Sequence, residues 1–417
     1  MPASRLHTKF FGSVAPADAW PEGGRRLASQ ALWFAAVVGV IRAVLVAPGE
    51  NRGTDFEPIW FAVQRYVHGV PVYNEDYSTL DPHYLYSPGA NVVLAPLAMF
   101  GSFSTARWAM IAATALSVVL AMWITARLLT RRWAAPLTLL AVAVFFNAPE
   151  PVVSTIQYTN INGFLLLVMV LFVWASVALD GPALRQFARG ETYLAGVLMA
   201  YAVTIKPQFV VLVAVPVLLW QWPVLLVAAA AYAGLFGLGW ATTAEPQWWR
   251  ERLVPYLAQP RSYDNGSLRA VLEQLGFGPA AQTAAVVLVL AVVAVAVAAL
   301  FRLRHRDRAA WAFCTLGALF AGVFVGGGLL QGYYAMWLIP MSMTVVRPHG
   351  PMRRVSMWVA LLLTLGGMSG LFVNGVLGAW PDSFGPTVGW VLVPVVLAVW
   401  GLRQGRSLPV NTAAEQG

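Results

Sequence analysis

Two acidic residues one position apart, Asp55 and Glu57, follow closely on the first long apolar run of the chain, in Thr54-Asp55-Phe56-Glu57. A carboxylate at such a point can accept a proton from a hydroxyl. Polar residues recur in four further places, each beside an apolar run. These are Asp81-Pro82-His83-Tyr84, Gln157-Tyr158-Thr159-Asn160-Ile161-Asn162-Gly163, the pair Lys206-Pro207, and Gln331-Gly332-Tyr333-Tyr334. A longer polar stretch holds Trp248-Trp249-Arg250-Glu251-Arg252 and Arg261-Ser262-Tyr263-Asp264-Asn265. Carboxylates, amides, phenols and cations are costly at membrane depth unless they pair or line a cavity. Their gathering beside apolar runs therefore points to a polar hollow.

Each of these residues also has an ordinary structural reading. An acid after a first span can be solvated loop. His83 has no partner at ligand spacing and fits a hydrogen-bonded structural histidine better than a metal site. Asn160 and Asn162 can cap a helix that starts near 161. Lys206 at a span end can snorkel to phosphate headgroups, and Tyr333 and Tyr334 can be interface-belt aromatics.

The elements that must position these residues are membrane spans. Of 417 residues, 59% are hydrophobic and 11% charged, and the mean hydropathy is +0.66. A soluble domain carries about 25% charged residues, so an ordinary soluble enzyme and a disordered chain are both excluded. The reading is an all-α polytopic membrane protein. Apolar runs near the ~20 residues that cross a bilayer lie at 28–47, 105–128, 133–149, 161–180, 192–206, 207–221, 222–240, 281–301, 309–328, 329–346, 356–378 and 386–402. The stretch 192–240 also reads as two long helices broken at Pro207 and Pro223. Residues 88–101 are too short to cross and read as re-entrant or interfacial. Pro58–Gly69 can form an amphipathic helix along the membrane surface.

Charge sets the orientation. The net charge of +9 is carried largely by Arg131, Arg132, Arg185, Arg189, the run Arg302–Arg308, Arg347, Arg353, Arg354, Arg403 and Arg406, with Arg25 and Arg26 before the first run. They fall on alternate connections, which makes that side cytoplasmic, and the charge is topogenic with no nucleic-acid site implied. Residues 1–27 and 403–417 become cytoplasmic tails around one membrane domain, 28–402, in the plasma (inner) membrane. The long loops 48–87 and 241–280 face the other side with most of the acids. Residues 1–26 lack a short apolar core with a cleavage site, so the first span reads as a retained anchor. The single cysteine, Cys314, excludes an intrachain disulfide framework and cysteine-rich zinc sites. No phosphate-binding loop, dinucleotide fingerprint or nucleophile elbow occurs in a supporting context.

A carboxylate in the first extracytoplasmic loop of a many-spanning protein resembles the GT-C class of glycosyltransferases, which take sugars from polyprenyl phosphates. The strings DFEPIWFAVQRYVHGVPVYN, DPHYLYSPG, YTNING and QGYYAMWLIPM resemble the actinobacterial family GT87 from Asp55 to Val346, in order. The resemblance implies a GT-C-type bundle of about twelve spans, a donor of decaprenyl-phosphoryl arabinofuranose, an arabinan acceptor and an α-(1→3)-linked product. Other members use polyprenyl-phosphate mannose. The family's first-loop carboxylate falls on Asp55. Where the wider class has a second Asp, this chain has Glu57.

Within that frame Asp55 is the expected general base toward the acceptor hydroxyl, in a single displacement that inverts the anomeric centre. The departing phosphate is a weak base and needs no acid, and neither metal nor cofactor is expected. Lys206, Arg261, His83, Tyr84 and Tyr334 are the candidates to meet the donor phosphate. Glu57, Asp81, Asn160, Asn162, Tyr263, Asn265, Gln331, Tyr333 and Trp248 are the candidates for sugar and acceptor, with Trp249 and Trp60 as further stacking surfaces. Two non-enzymatic readings compete. A transporter or lipid flippase would place ionisable groups near the midplane and show two similar halves, whereas here the polar residues gather at one face and no repeat is evident. A cell-wall scaffold would tolerate alanine at Asp55, His83 and Lys206.

Overall fold

A computed structural model describes residues 22–79, 82–259, 265–348, 350–365 and 384–406, and helices are the only regular secondary structure among them. The principal helices are α1 (Glu22–Ile41), α2 (Glu57–Val67), α3 (Pro88–Leu94), α4 (Phe103–Leu129), α5 (Ala134–Phe145), α6 (Asn162–Ala178), α7 (Gly190–Ile205), α8 (Trp222–Thr242), α9 (Leu268–Gln274), α10 (Pro279–Leu300), α11 (Arg308–Gly326), α12 (Val355–Thr364) and α13 (Phe384–Arg406). Most are apolar around the whole circumference, as helices surrounded by lipid or by one another must be. Their starts follow local chemistry. Proline stands at the first or second position of α2, α3, α8 and α10, where its missing N–H costs no hydrogen bond. Ser102 caps α4 by accepting from the Thr105 N–H at 3.2 Å, and Asp307 caps α11 by accepting from the Ala310 N–H at 3.0 Å.

The architecture is that of a helical membrane protein. Six helices are long and apolar enough to cross a bilayer: Arg26–Glu50, Phe103–Leu129, Trp222–Thr242, Pro279–His305, Arg308–Gly326 and Phe384–Gln404. A seventh results if Ala134–Phe145 and Glu150–Gln157, bent by 81°, form one span. Other apolar runs of the sequence appear as shorter helices, Asn162–Ala178, Gly190–Ile205, Pro207–Leu218 and Val355–Thr364. Proline is the physical reason for much of the shortening. Pro207 and Pro223 start new helices, so 192–240 holds three helices and not two long ones. Pro340 falls within a succession of short turns, Gly332–Leu338, Ile339–Ser342 and Met343–Val346, where an even apolar run was expected. The second half of the run 356–378 lies outside the described residues.

Helix α6 is central, packed against α4 and α7. The expected amphipathic segment after Asp55 forms α2, which buries Pro58, Ile59, Trp60, Ala62 and Val63 and leaves Phe61 and Val67 exposed. The short apolar segment 88–101 forms α3 and a tight turn, Ala95–Phe100, and α3 crosses α8 backbone to backbone. A Cβ on Gly239 would overlap the Pro88 carbonyl, and one on Gly89 would meet the Leu235 carbonyl at 3.1 Å, so this approach needs glycine on both helices.

Polar groups collect at the two ends of the bundle. At the C-terminal end of α6, Arg308 donates to the Leu179 carbonyl at 3.1 Å and pairs with Asp180. Nearby, Arg347 pairs with Asp307 at 2.6 Å. The start of α6 is about 25 Å away by helix length. There the second polar cluster forms.

Candidate active site

The loop after the first span is folded tightly before it reaches Asp55. Asn51 Oδ1 accepts from the N–H groups of Gly53 (2.7 Å) and Thr54 (3.0 Å). Gly53 takes φ +86°, a conformation that suits glycine, and its carbonyl accepts from the N–H groups of Phe56 and Glu57 to start α2. Asp55 is thereby fixed at the junction of loop and helix. Its own N–H donates to the Tyr158 carbonyl at 3.3 Å, which ties it to the segment leading into α6.

Asn160 joins the start of α6 to Asp55. Its Oδ1 accepts from the Asn162 N–H at 3.0 Å at the start of α6, and its Nδ2 donates to Asp55 Oδ2 at 2.6 Å. One further step along α6, Asn162 Oδ1 accepts from Lys206 Nζ at 2.7 Å. Lys206 follows the last residue of α7, and its ammonium stands 5.2 Å from the centre of the Tyr334 ring, within cation–π range. Asn162 Nδ2 is buried and finds no acceptor among the described residues. The Asp55 carboxylate interacts electrostatically with Lys206, Tyr86 and Tyr333.

Phenols pack beside these groups. Tyr333 and Tyr334 meet edge to face at 5.2 Å, and Tyr158 lies 6.2 Å from Tyr333. Tyr334 stacks on Phe324 of α11 at 4.5 Å, and Trp337 packs with Phe320 and Phe209 beneath it. The Tyr333 hydroxyl donates to Gln331 Oε1. Burial pushes the Tyr86 phenol up and the Asp55 charge raises it further, so this group is a protonated donor at neutral pH. The Asp55 carboxylate, the Lys206 ammonium, the amides of Asn160 and Asn162 and several phenols thus share the end of the bundle marked by the start of α6. The set can accept a proton from a hydroxyl and stabilise an anion a short distance away.

A family model described as glycosyltransferase family 87 matches residues 84–326. The chain belongs to this family. It is 31% identical over 401 residues to an α-(1→3)-arabinofuranosyltransferase of Corynebacterium glutamicum, covering 94% of this chain and 92% of the relative. A protein of the same description from Mycobacterium tuberculosis is 31% identical over 337 residues, 79% of this chain and 75% of the relative. One from Mycolicibacterium smegmatis is 30% identical over 404 residues, 94% and 89%. No solved structure matches. Family 87 membership makes the protein a glycosyltransferase, and Asn160, Asn162 and Lys206 lie within the matched segment.

The family 87 chain does not bring every expected residue to this cluster. His83 packs between Tyr77 and Tyr256 and contacts Glu75 at 3.4 Å and the Thr79 carbonyl at 3.2 Å. Glu75 also pairs with Arg65 and accepts from the Tyr84 N–H at 2.9 Å. The Tyr84 hydroxyl donates to Asn91 Oδ1 at 2.6 Å, and Asn91 donates to Thr243 at 2.9 Å. Tyr84 is therefore engaged in holding the first loop to α3 and the end of α8, and His83 in holding that loop to itself and to Tyr256. Asn265 uses its amide on backbone, donating to the Gly328 carbonyl (2.8 Å) and accepting from Ser267 and Leu330. Trp60 is buried between Phe56 and Phe103, which removes it as a stacking surface. Trp248 carries the Arg252 guanidinium 3.8 Å above its ring, and Trp249 packs on Phe236. Glu57 is the first residue of α2, where its charge suits the helix N-terminus. Asp81, Arg261 and Tyr263 lie outside the described residues.

Three residues at or beside the cluster were not anticipated as functional: Tyr86, Glu150 and Arg107. A Cβ on Gly332 would come within 3.1 Å of the Glu150 carboxyl carbon, which brings Glu150 beside the Gln331–Tyr334 turn. Arg107 lies in the first turns of α4 and reaches both segments that carry Asp55 and Asn160. Its position on a long apolar helix conceals this in the sequence.

Proposed function

We propose that this protein is an inverting α-(1→3)-arabinofuranosyltransferase that moves arabinofuranose from decaprenyl-phosphoryl arabinofuranose to a cell-wall arabinan. It works from the plasma membrane with its site on the extracytoplasmic side. The observation that carries the reaction is the Asp55 carboxylate, held by Asn160 at 2.6 Å and electrostatically coupled to Lys206. The choice of sugar and linkage follows the relatives, which bear that description along nearly the whole chain.

In this account Asp55 Oδ accepts the proton of the acceptor hydroxyl as its oxygen bonds to the anomeric carbon. The bond from that carbon to the phosphate oxygen breaks, and the lipid phosphate leaves with the electron pair. Lys206 and the phenols of Tyr86 and Tyr334 meet the charge on the departing phosphate. Asn162 Nδ2 supplies a buried donor for an oxygen of the bound sugar phosphate. A β-linked donor attacked from the opposite face gives the α product. The shorter apolar helices complete a bundle of about twelve crossings, and α2 lies along the outer surface. The arginines at the far end of α6 support this orientation, since basic residues mark the cytoplasmic side.

The test offers purified protein two donors, decaprenyl-phosphoryl arabinofuranose and polyprenyl-phosphate mannose, each with an arabinan and with a phosphoinositol mannoside. Arabinofuranose should pass to the arabinan with a (1→3) linkage by linkage analysis. Transfer of mannose alone, to the phosphoinositol mannoside, would overturn the assignment.

A further inference from the structure

Arg107 is a strongly basic side chain that joins the two halves of the cluster without belonging to either. One face of its guanidinium fork serves the loop that ends in Asp55, where Nη2 donates to the Pro48 carbonyl at 2.8 Å and also to the Asn51 carbonyl. The other face serves the segment leading into α6, where Nε donates to Thr159 Oγ1 at 3.2 Å. Asn51 is the residue whose side chain shapes the turn before Asp55. Thr159 directly precedes Asn160 and adopts φ +56°, a left-handed conformation that is unfavourable for a β-branched residue and needs outside support. Gly53 completes the fit, because a Cβ there would lie 2.8 Å from Arg107 Nε.

We infer that Arg107 is a positioning residue for the glycosyl transfer, clamping the Asp55 loop to the Asn160 segment so that the 2.6 Å contact between those side chains keeps its geometry. A planar guanidinium can donate in several fixed directions at once, whereas an ammonium is a point charge that cannot bridge both segments in the same way. This inference rests on the reading of Asp55 as the base. Misplacing a reacting group by about 1 Å can cost roughly 100-fold in rate, and that sets the scale of the effect.

The experiment compares Arg107→Met, Asn160→Ala and the double variant in purified full-length protein. It reads turnover, KM for decaprenyl-phosphoryl arabinofuranose, and thermal midpoint. Arg107→Met should lower kcat by about 100-fold with little change in donor KM. Combined with Asn160→Ala it should lower kcat by clearly less than the product of the two single effects, since both act on one carboxylate. Thr159→Val removes one clamp contact at nearly constant volume and should show the same pattern, smaller, even if Arg107→Met fails to fold. Full multiplicativity, or a loss confined to KM or to thermal midpoint, would overturn the clamp. Asp55→Asn separates the two claims. If it keeps transfer, the base assignment itself has failed; if it is inactive while Thr159→Val and Arg107→Met turn over normally, only the clamp has.

Discussion

Asp55→Asn should reduce sugar transfer by about 10²- to 10⁴-fold, the range expected for loss of a general base. The substitution keeps the shape of the side chain and an oxygen toward Asn160, the donor at 2.6 Å in the native protein. It removes the negative charge and the ability to hold the acceptor proton. The backbone bond from residue 55 to the Tyr158 carbonyl does not depend on the side chain, so the thermal midpoint should stay close to that of the native protein. Affinity for decaprenyl phosphate, measured by equilibrium binding to purified protein, should be unchanged or slightly higher, because one negative charge near the phosphate is gone. Retained transfer would remove Asp55 from the base role.

Lys206→Met should cost about 10²- to 10³-fold in turnover, the scale seen when one preorganised group facing a developing charge is removed. Lys206 is fixed on two sides, by Asn162 Oδ1 at 2.7 Å and by the Tyr334 ring at 5.2 Å. Its ammonium therefore needs no reorganisation to meet a phosphate. The binding readout should differ from that of the Asp55 variant, with decaprenyl phosphate bound more weakly because the attraction acts on the charged lipid as well as on the transition state. The same binding assay thus separates two substitutions that both lower transfer. Native affinity and native turnover in Lys206→Met would exclude this lysine from the phosphate site.

The meeting of Asp55, Asn160, Asn162, Lys206, Tyr333 and Tyr334 was legible in the sequence for a topological reason. Each sits at the end of an apolar run, and alternation of basic connections assigns those ends to one face. What could not be read was how individual polar atoms are used. His83 and Tyr84 stand in a distinctive string, yet Glu75 and Asn91 engage them, and such pairings depend on how the first loop folds on itself and packs on α3. Trp60 was expected as a stacking surface on an amphipathic helix, but on α2 it falls on the buried side with Ile59 and Val63. Arg107 lies within an apolar run and drew no reading from the sequence, yet it contacts two separate segments. The break at Pro207 was legible as a proline between two apolar runs, whereas the run around Pro340 misled, since hydropathy is blind to a missing N–H.

The stereochemical course of one transfer tests the central claim most directly. A synthetic β-linked decaprenyl-phosphoryl arabinofuranose would be turned over once by the purified protein, and the new linkage read by NMR together with the mass of the peptide bearing Asp55. A carboxylate that only takes a proton predicts an α product and an unmodified peptide. A β product, or arabinofuranose attached to Asp55, would contradict the account by making that carboxylate a nucleophile.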